Sequence, residues 1–218
     1  MRERDPEKSR QSILEAAEAE FAQKGFWGAR VDEIAARAQI NKRMIYAYFG
    51  DKEGLYQQVL FRVYARMEEA ERQLMGRNLS GKALIREIIG VYFDFLQQNP
   101  TFVSLLLWEN LNQGRYLKAM EGSRIRRHTL IAIEEALDKG KEEGVFRKAL
   151  DSRQIALSLI TVCFANFSNQ YTLSRLFDTD LTHPSSIQER KEHTVQLMLS
   201  ALCLDTEGGN HHAIHPMD

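Results

Sequence analysis

The stretch that decides the fold is RVDEIAARAQINKRMIYAYFGDKEGLY, residues 30–56. Its apolar residues recur every three to four positions on either side of a short polar break, which predicts two short helices, over about residues 31–38 and 42–49. Asn41 precedes the second helix and is expected to cap it, because an Asn side chain accepts the free backbone N–H groups of a first turn. Two short helices across a tight turn are the form of a helix-turn-helix reader of DNA.

The second of these helices has one apolar side and one side suited to contact bases. Ile45 and Phe49 fall together and are expected to pack on the preceding helix. Arg43, Met44 and Ala47 fall on the opposite side. Arg43 can bond both acceptors of a guanine, which discriminates by about 1 to 3 kcal/mol, whereas Met44 and Ala47 would read by apolar contact, for example with a thymine methyl.

Polar and aromatic side chains flank this base-reading row. Lys42, Tyr46 and Tyr48 project from the two flanks of the helix. Lys52 follows in the first turn of the next helix. All four side chains are expected to contact phosphates of the DNA backbone. Residues 37–52 hold four cations and one carboxylate, a net charge of +3, although the whole chain has a net charge of −1. The alternative is a compact helical hairpin with solvated charges.

Residues 8–68 resemble the N-terminal DNA-binding domain of TetR-family (tetracycline-repressor-like) transcriptional regulators. The family pattern is an apolar first helix with A-A-x-x-x-F before a glycine, then I-A-x-x-A, a cap, Y-x-H/Y-F and K-x-x-L. The matching residues are Ala16, Ala17, Phe21, Gly25, Ile34, Ala35, Ala38, Asn41, Tyr46, Tyr48, Phe49, Lys52 and Leu55.

The departures from that pattern bear on DNA contact. They are Ala29 and Arg30 for two threonines, Gln39 for a glycine, Asn41 for a serine, and Arg43 with Met44 for a small pair. Arg30 replaces a hydroxyl that the family uses on a phosphate, and a longer cation can make the same contact. The bulk of Arg43 and Met44 means that the operator preference of the family does not carry over.

The rest of the chain predicts an all-α protein of about nine helices. Four belong to the first part, where Gly25 is expected to end the first helix and Asp51 to cap a fourth that runs to about residue 72. Residues 75–81 form the expected joint between the two parts. Helices are then expected near residues 82–97, 101–112, 119–143, 152–176 and 186–204.

The resemblance implies that residues 75–206 form a larger domain that dimerises and binds a small-molecule effector. The predicted helices over 152–176 and 186–204 are apolar around most of their circumference, so they need partners on two sides. Family resemblance assigns one of these sides to a second copy; the alternative is that both helices are interior to a monomer. The predicted interface residues are Ile155, Leu159, Val162, Val195, Met198, Leu199 and Leu202.

Glu109 shares a helical face with apolar residues, and a carboxylate there is costly without a partner. It either meets a donor or cation on an effector, or pairs internally with Arg115 or Arg124, or points into a solvent-filled groove. We favour the two interpretations in which Glu109 contacts no effector. The other candidate pocket residues, each more often core than ligand contact, are Tyr92, Phe93, Trp108, Asn112, Tyr116, Phe164, Asn166, Phe167 and Asn169.

The remaining features predict no cofactor, no metal and no membrane span. Cys163 and Cys203 have no paired spacing, and the charged N-terminus has no apolar signal core, so we expect a cytoplasmic protein. The one long uncharged stretch, residues 154–174, is too polar for a membrane. Residues 207–218 are expected to be a flexible tail in which three histidines are more readily solvated than metal-bound, namely His211, His212 and His215.

The predicted function is sequence-specific regulation of transcription, by a ligand-responsive repressor that binds double-stranded DNA as a homodimer at a palindromic operator. No catalytic motif supports an enzyme. One rival is a TetR-fold adaptor or coactivator that has lost DNA binding, and a weaker one is a helical enzyme. The retained cations Lys42, Arg43 and Lys52 argue against the adaptor.

Overall fold

A computed structural model of the chain describes residues 5–75, 77, 79, 81–119 and 128–203. Over these residues the fold is all-α, as predicted, and contains eleven helices. They are α1 Pro6–Gly28, α2 Val31–Arg37, α3 Lys42–Phe49, α4 Lys52–Met75, α5 Gly81–Gln98, α6 Pro100–Leu111, α7 Arg115–Ala119, α8 His128–Glu142, α9 Ser152–Ser168, α10 Gln170–Leu176 and α11 Pro184–Leu202.

The first three helices close around the start of α4 to form the N-terminal unit. Phe21, Ile34, Ile45 and Leu55, one from each helix, are all fully buried and belong to the same core. The ends of the helices follow the predicted chemistry. Asn41 Oδ1 accepts the Arg43 N–H (2.9 Å), and the side chain of Asp51 accepts the Gly54 N–H (2.7 Å).

Two backbone positions depart from ordinary helical geometry in this unit. Gly25 does not end α1 as predicted; with φ 66° and ψ 178° it kinks the helix, which continues to Gly28. Gln39, at the position where the family often has glycine, keeps the left-handed conformation of that glycine with φ 54°. The turn between α2 and α3 therefore has a backbone that favours glycine even though the residue is Gln.

The larger unit is arranged around α5, which packs on α4, α8, α9 and α11. The helix predicted over residues 152–176 is two helices. Asn169 breaks it, because its backbone leaves the helical region (φ −113°) and its side-chain amide donates to Ala165 O (3.1 Å) and Ser168 Oγ (2.9 Å). Of the helix predicted over 119–143, α8 occupies 128–142, and residues 120–127 lie outside the described part.

Candidate DNA-binding surface and its junction with the larger unit

Helix α3 is anchored by one face and exposed on the other. Ile45 and Phe49 are buried, Arg43 and Ala47 are exposed, and Met44 is half-buried. The face assignment predicted from helical spacing is therefore the one that the structure has. A short helix with an exposed arginine in its first turn has the shape that enters a major groove, where the N-terminal residues of the helix contact the bases.

The flanking cations are held in different ways. Lys42 Nζ lies 2.8 Å from Asp32 Oδ1 and 2.9 Å from Oδ2 on α2, and this hydrogen bond raises the pKa of Lys42. Lys52 Nζ lies 4.8 Å from the centre of the Phe26 ring, and burial lowers the pKa of Lys52. Arg30 is exposed at the N-cap position of α2. In this structure Lys42 and Lys52 therefore each have a partner within the protein.

Two more predicted contacts on α3 are aromatic. Tyr46 and Tyr48 are both among the exposed large side chains, so their rings are accessible on the surface of α3. Trp27, at the end of α1, is a further exposed ring that sequence reasoning did not select. It packs edge-on against Phe26 at 5.1 Å between ring centroids, next to the ring on which Lys52 lies.

A cluster of ion pairs fixes α2 against α1. Glu20 is buried on α1 and lies 2.6 Å from Lys24 Nζ and 3.7 Å from Arg37 Nη2. Lys24 also bonds Glu33 on α2, and its hydrogen bonds to the two carboxylates raise its pKa. These charges link α1 to α2 beside the apolar core that the two helices share. Their positions in the sequence do not reveal the pairing.

Glu109 has internal partners among the described residues, and Arg115 is not one of them; Arg124, the other predicted partner, lies outside the described part. Its Oε1 accepts a hydrogen bond from the hydroxyl of Tyr56 on α4 (3.0 Å), and its Oε2 accepts the backbone N–H of Leu117 on α7 (3.2 Å). Arg115 instead lies against the Tyr116 ring, 5.5 Å from its centre. Glu109, which is 2% exposed, therefore joins α6 and α7 to the N-terminal unit.

Aromatic rings surround this contact. The Tyr116 ring lies 4.5 Å from Phe26 and 5.0 Å from Tyr56, measured between centroids. Trp108 Nε1 donates to Ala22 O on α1 (3.2 Å), and the Trp108 ring fills the space beside Gly25. The predicted pocket residues Trp108, Glu109 and Tyr116 thus lie at the junction between the two units.

The other end of α6 is tied to α1 as well. Thr101 Oγ1 and Arg66 Nη2 both donate to Glu18 Oε1, each at 2.6 Å. Glu18 is buried, so this second contact between α6 and the N-terminal unit also involves a buried carboxylate. Unlike Glu109, Glu18 is paired with an arginine, Arg66. Helix α6 is therefore hydrogen-bonded to the N-terminal unit at both of its ends.

The other predicted pocket residues are spread through the larger unit. Tyr92 donates to Glu71 Oε1 (2.6 Å) in the core, and the rings of Phe93 and Phe167 pack edge-on at 5.6 Å. The remaining ones are Asn166, which is buried, Phe164, which is half-buried, Asn112, whose side chain donates to Trp108 O (2.8 Å), and the exposed Asn169 that breaks the helix. The structure therefore does not bring the ten predicted pocket residues together at one site.

Four of the seven predicted dimer contacts are buried inside the one chain, namely Leu159, Val195, Met198 and Leu202. Ile155, Val162 and Leu199 are half-buried. The first four belong to the subunit's own core, because α9 and α11 both pack on α5. The large apolar side chains that these two helices leave exposed are Leu157 and Leu197.

Neither a metal site nor a membrane span is found in the described residues. These residues contain no cluster of three or more His, Cys, Asp and Glu that could hold a metal ion. None of their helices is long and apolar enough to cross a membrane. The three tail histidines and the predicted tail over 207–218 lie outside the described part.

The short turn and the anchored helix with an open basic face define a helix-turn-helix DNA-binding protein. The chain matches two family models, Bacterial regulatory proteins, tetR family, over residues 13–59 and Tetracyclin repressor-like, C-terminal domain, over residues 82–198. The chain belongs to the TetR family of transcriptional regulators, and its function is DNA-binding regulation of transcription.

Two curated relatives are named HTH-type transcriptional repressors. NicS of Pseudomonas putida is 31% identical over 182 residues, covering 83% of this chain and 86% of NicS. SCO4008 of Streptomyces coelicolor is 33% identical over 165 residues, covering 74% and 80%.

Two solved structures share the fold. SCO4942 of Streptomyces coelicolor has a TM-score of 0.71 and 25% identity, and the match covers 89% of this chain and 98% of that one. FadR of Bacillus subtilis, solved in complex with stearoyl-CoA, has a TM-score of 0.66 and 18% identity, with 88% and 98% covered.

Proposed function

We propose that this protein is a homodimeric repressor whose two α3 helices enter successive major grooves of a palindromic operator. The observation that carries the proposal is the open face of α3, where Arg43 and Ala47 are exposed above the buried anchors Ile45 and Phe49. Members of the TetR family are typically dimers, and the relatives NicS and SCO4008 are named repressors. Binding to chromosomal DNA also supports the predicted cytoplasmic location.

Arg43 is proposed as the base reader, with Met44 and Ala47 beside it in the groove. The phosphate contacts are proposed for Arg30, Asn41, Lys42, Tyr46, Tyr48 and Lys52. On DNA, the ammonium group of Lys42 would contact both Asp32 and a phosphate. The ammonium group of Lys52 would contact a phosphate either while it stays over the Phe26 ring or after it moves away from that ring. A contact to a phosphate adds affinity for any duplex, whereas Arg43 adds a preference for one base.

Selection of duplexes from a random pool tests this function. The proposal expects enrichment of a palindrome with half-sites about one helical turn apart. Arg43→Ala should relax selection at one base position, while Lys148→Ala, which removes an exposed cation from the loop before α9, should leave it unchanged. If no palindrome is enriched, the adaptor that has lost DNA binding becomes the better explanation.

We also propose that a small molecule binds in the larger unit and shifts the spacing of the two α3 helices. The buried hydroxyl–carboxylate pair of Tyr92 and Glu71 supports this, because it places polar groups in an apolar core away from the DNA-binding face. FadR, which has the same fold, was solved with stearoyl-CoA. An effector changes affinity for DNA only by binding one of the two states more tightly.

The structure offers one route by which such a signal would reach the DNA. Helix α6 belongs to the larger unit, and both of its ends are hydrogen-bonded to the N-terminal unit, at Glu18 and at Glu109. A compound screen for release of the selected operator identifies the effector. Tyr92→Phe should then weaken the response to that compound and leave operator binding in its absence unchanged.

A further inference from the structure

The most exposed aromatic side chain among the described residues of the N-terminal unit is Trp27, near the end of α1. It is 70% exposed, whereas Tyr46 and Tyr48 on α3 are 42% and 36% exposed. A single exposed ring is ordinary on a protein surface, so its surroundings decide whether it has a binding role. Trp27 lies between two side chains that are themselves candidates for phosphate contact.

The first of these neighbours is Lys52. The Trp27 ring packs edge-on against Phe26, with 5.1 Å between centroids, and Phe26 packs in turn on Tyr56 at 5.3 Å. Phe26 is buried, so the core holds it in place. Lys52 Nζ lies 4.8 Å from the centre of the same Phe26 ring. The indole of Trp27 and the ammonium group of Lys52 therefore both contact one fixed ring.

The second neighbour is Arg30, three residues further along the chain. The backbone of Ala29 and Arg30 is extended, with ψ 142° and 131°. Gly28 has no side chain and Ala29 is buried, so no side chain projects outward between the indole and the exposed Arg30. Three residues span at most about 11 Å. Trp27 is therefore close to a cation on each side, Lys52 and Arg30.

This part of the surface adjoins the recognition helix. Asp32, two residues after Arg30, forms an ion pair with Lys42 at the start of α3, with 2.8 Å between Oδ1 and Nζ. The start of α2 therefore lies beside the start of α3. Residues 27–31 include no carboxylate. The basic surface at the start of α3 is thus continued by Arg30 and then by Trp27.

We propose that Trp27 contacts the DNA backbone, between a phosphate bound by Arg30 and a phosphate bound by Lys52. The indole N–H is a donor without acceptor capacity, so it suits a phosphate oxygen, and the ring offers apolar area to a deoxyribose. A backbone contact positions the protein and carries no information about base sequence. The inference rests on the DNA binding in the proposed function and adds a contact residue outside the helix-turn-helix.

Binding to the selected operator over a range of salt concentrations tests this contact. Trp27→Ala should weaken binding by roughly tenfold, because a hydrogen bond to a charged group is removed. The salt slope should stay unchanged, since no cation is lost, whereas Lys52→Ala should make the slope shallower by about one. Leu111→Ala removes a side chain that is 74% exposed at the end of α6, and it should change neither quantity. Native affinity of Trp27→Ala would overturn the proposal.

Two further measurements separate a backbone contact from other roles of the ring. Trp27→Phe keeps a ring against Phe26 and loses the N–H, so it should bind more weakly than the native chain, at a temperature where thermal unfolding shows both to be folded. Native affinity of Trp27→Phe would overturn the hydrogen bond to a phosphate. The palindrome selected by Trp27→Ala should be the native one. A changed base preference would make Trp27 a base reader and overturn the backbone contact.

Acrylamide quenching of tryptophan fluorescence observes the contact directly. The chain has two tryptophans, and Trp27→Phe reports the half-buried Trp108 alone, so subtraction gives the signal of Trp27. Saturating operator should lower the quenching of Trp27 several-fold. If Trp27 is quenched on the operator as strongly as in the free protein, the contact is wrong and the proposed DNA binding stands. A native chain that selects no duplex overturns both.

Discussion

The hydroxyl of Tyr56 on α4 donates a 3.0 Å hydrogen bond to Oε1 of Glu109 on α6, and both side chains are buried. The bond joins the helix that follows the DNA-reading element to a helix of the larger unit. Burial, together with the nearby carboxylate, raises the pKa of Tyr56, so its hydroxyl stays protonated and remains a donor. The other oxygen of Glu109 accepts the backbone N–H of Leu117, so each carboxylate oxygen has a donor.

Tyr56→Phe should destabilise the protein by about 1 to 3 kcal/mol, because it leaves one oxygen of a buried carboxylate without its donor. Urea unfolding measures the change. Tyr48→Phe removes the hydroxyl of an exposed ring and should cost less than about 0.5 kcal/mol. Equal effects of the two substitutions would mean that the Tyr56 bond does not stabilise the junction.

Gly25→Ala should destabilise more than Gly114→Ala. Both glycines have φ 66°, and Gly25, with ψ 178°, lies in a region essentially restricted to glycine, where a side chain costs about 1 to 3 kcal/mol. A Cβ on Gly25 would also lie 2.7 Å from Cδ2 of Trp108, whereas nothing lies within 4 Å of one on Gly114. Overpacking of this kind costs about 1 to 3 kcal/mol more. Thermal or urea unfolding of both variants measures the difference, and its absence would show that Trp108 can move aside freely.

Asp32→Asn should strengthen DNA binding by about two- to fivefold at low salt, because it frees Lys42 and removes a negative charge near the phosphates. Binding to the selected operator is measured by fluorescence anisotropy from low to physiological salt. Asp178→Asn makes the same change of charge just after α10, outside the N-terminal unit, and is the control. If Asp32→Asn weakens binding, the ion pair positions Lys42 rather than competing with DNA for it.

Stability should fall as the pH rises above about 10, the ordinary pKa of an unfolded tyrosine. Burial raises the pKa of Tyr64 to about 12, and raises the pKa of Tyr56, Tyr92 and Tyr116 as well. Below pH 10 both states keep these protons. Above it the unfolded chain loses them first, so each such tyrosine lowers the unfolding free energy by about 1.4 kcal/mol per pH unit until its folded pKa is passed.

Urea unfolding between pH 9 and pH 11.5 measures this slope. Tyr92→Phe should make it shallower by the contribution of one tyrosine, because the buried hydroxyl bonded to Glu71 is removed. Tyr171→Phe, which removes an exposed ring, is the control. If both variants kept the native slope, Tyr92 would not hold its proton through this range.

Local patterns predicted the N-terminal unit well. The outward face of α3, the Asn41 and Asp51 caps and the buried positions Ile45 and Phe49 all follow from residues within one or two helical turns of each other. Gly25 interrupts the first helix, as predicted, because its backbone leaves the helical region, but α1 continues beyond it to Gly28. The ring of Trp108, more than eighty residues away, packs beside that glycine, and the helix resumes after the kink.

The larger unit was predicted less well, because a helix that is apolar all round does not tell which side meets its own chain. Leu159 and Val195 were expected at a dimer interface, and in the single chain both are buried in the core. Trp108, Glu109 and Tyr116 were candidates for an effector pocket. Their contacts reach α1 and α4, whose partner residues Ala22, Phe26 and Tyr56 are distant in the chain.

The sequence by itself determined an all-α chain, a helix-turn-helix element and the two faces of α3, because helical periodicity and capping depend on neighbours within a few residues. Only the tertiary structure decided that Glu109 bonds Tyr56, 53 residues away, and that Leu157 and Leu197 are the large apolar side chains left exposed on α9 and α11. Those outcomes depend on how whole helices pack, since many pairings are compatible with the same local pattern and the packing of the entire core selects among them.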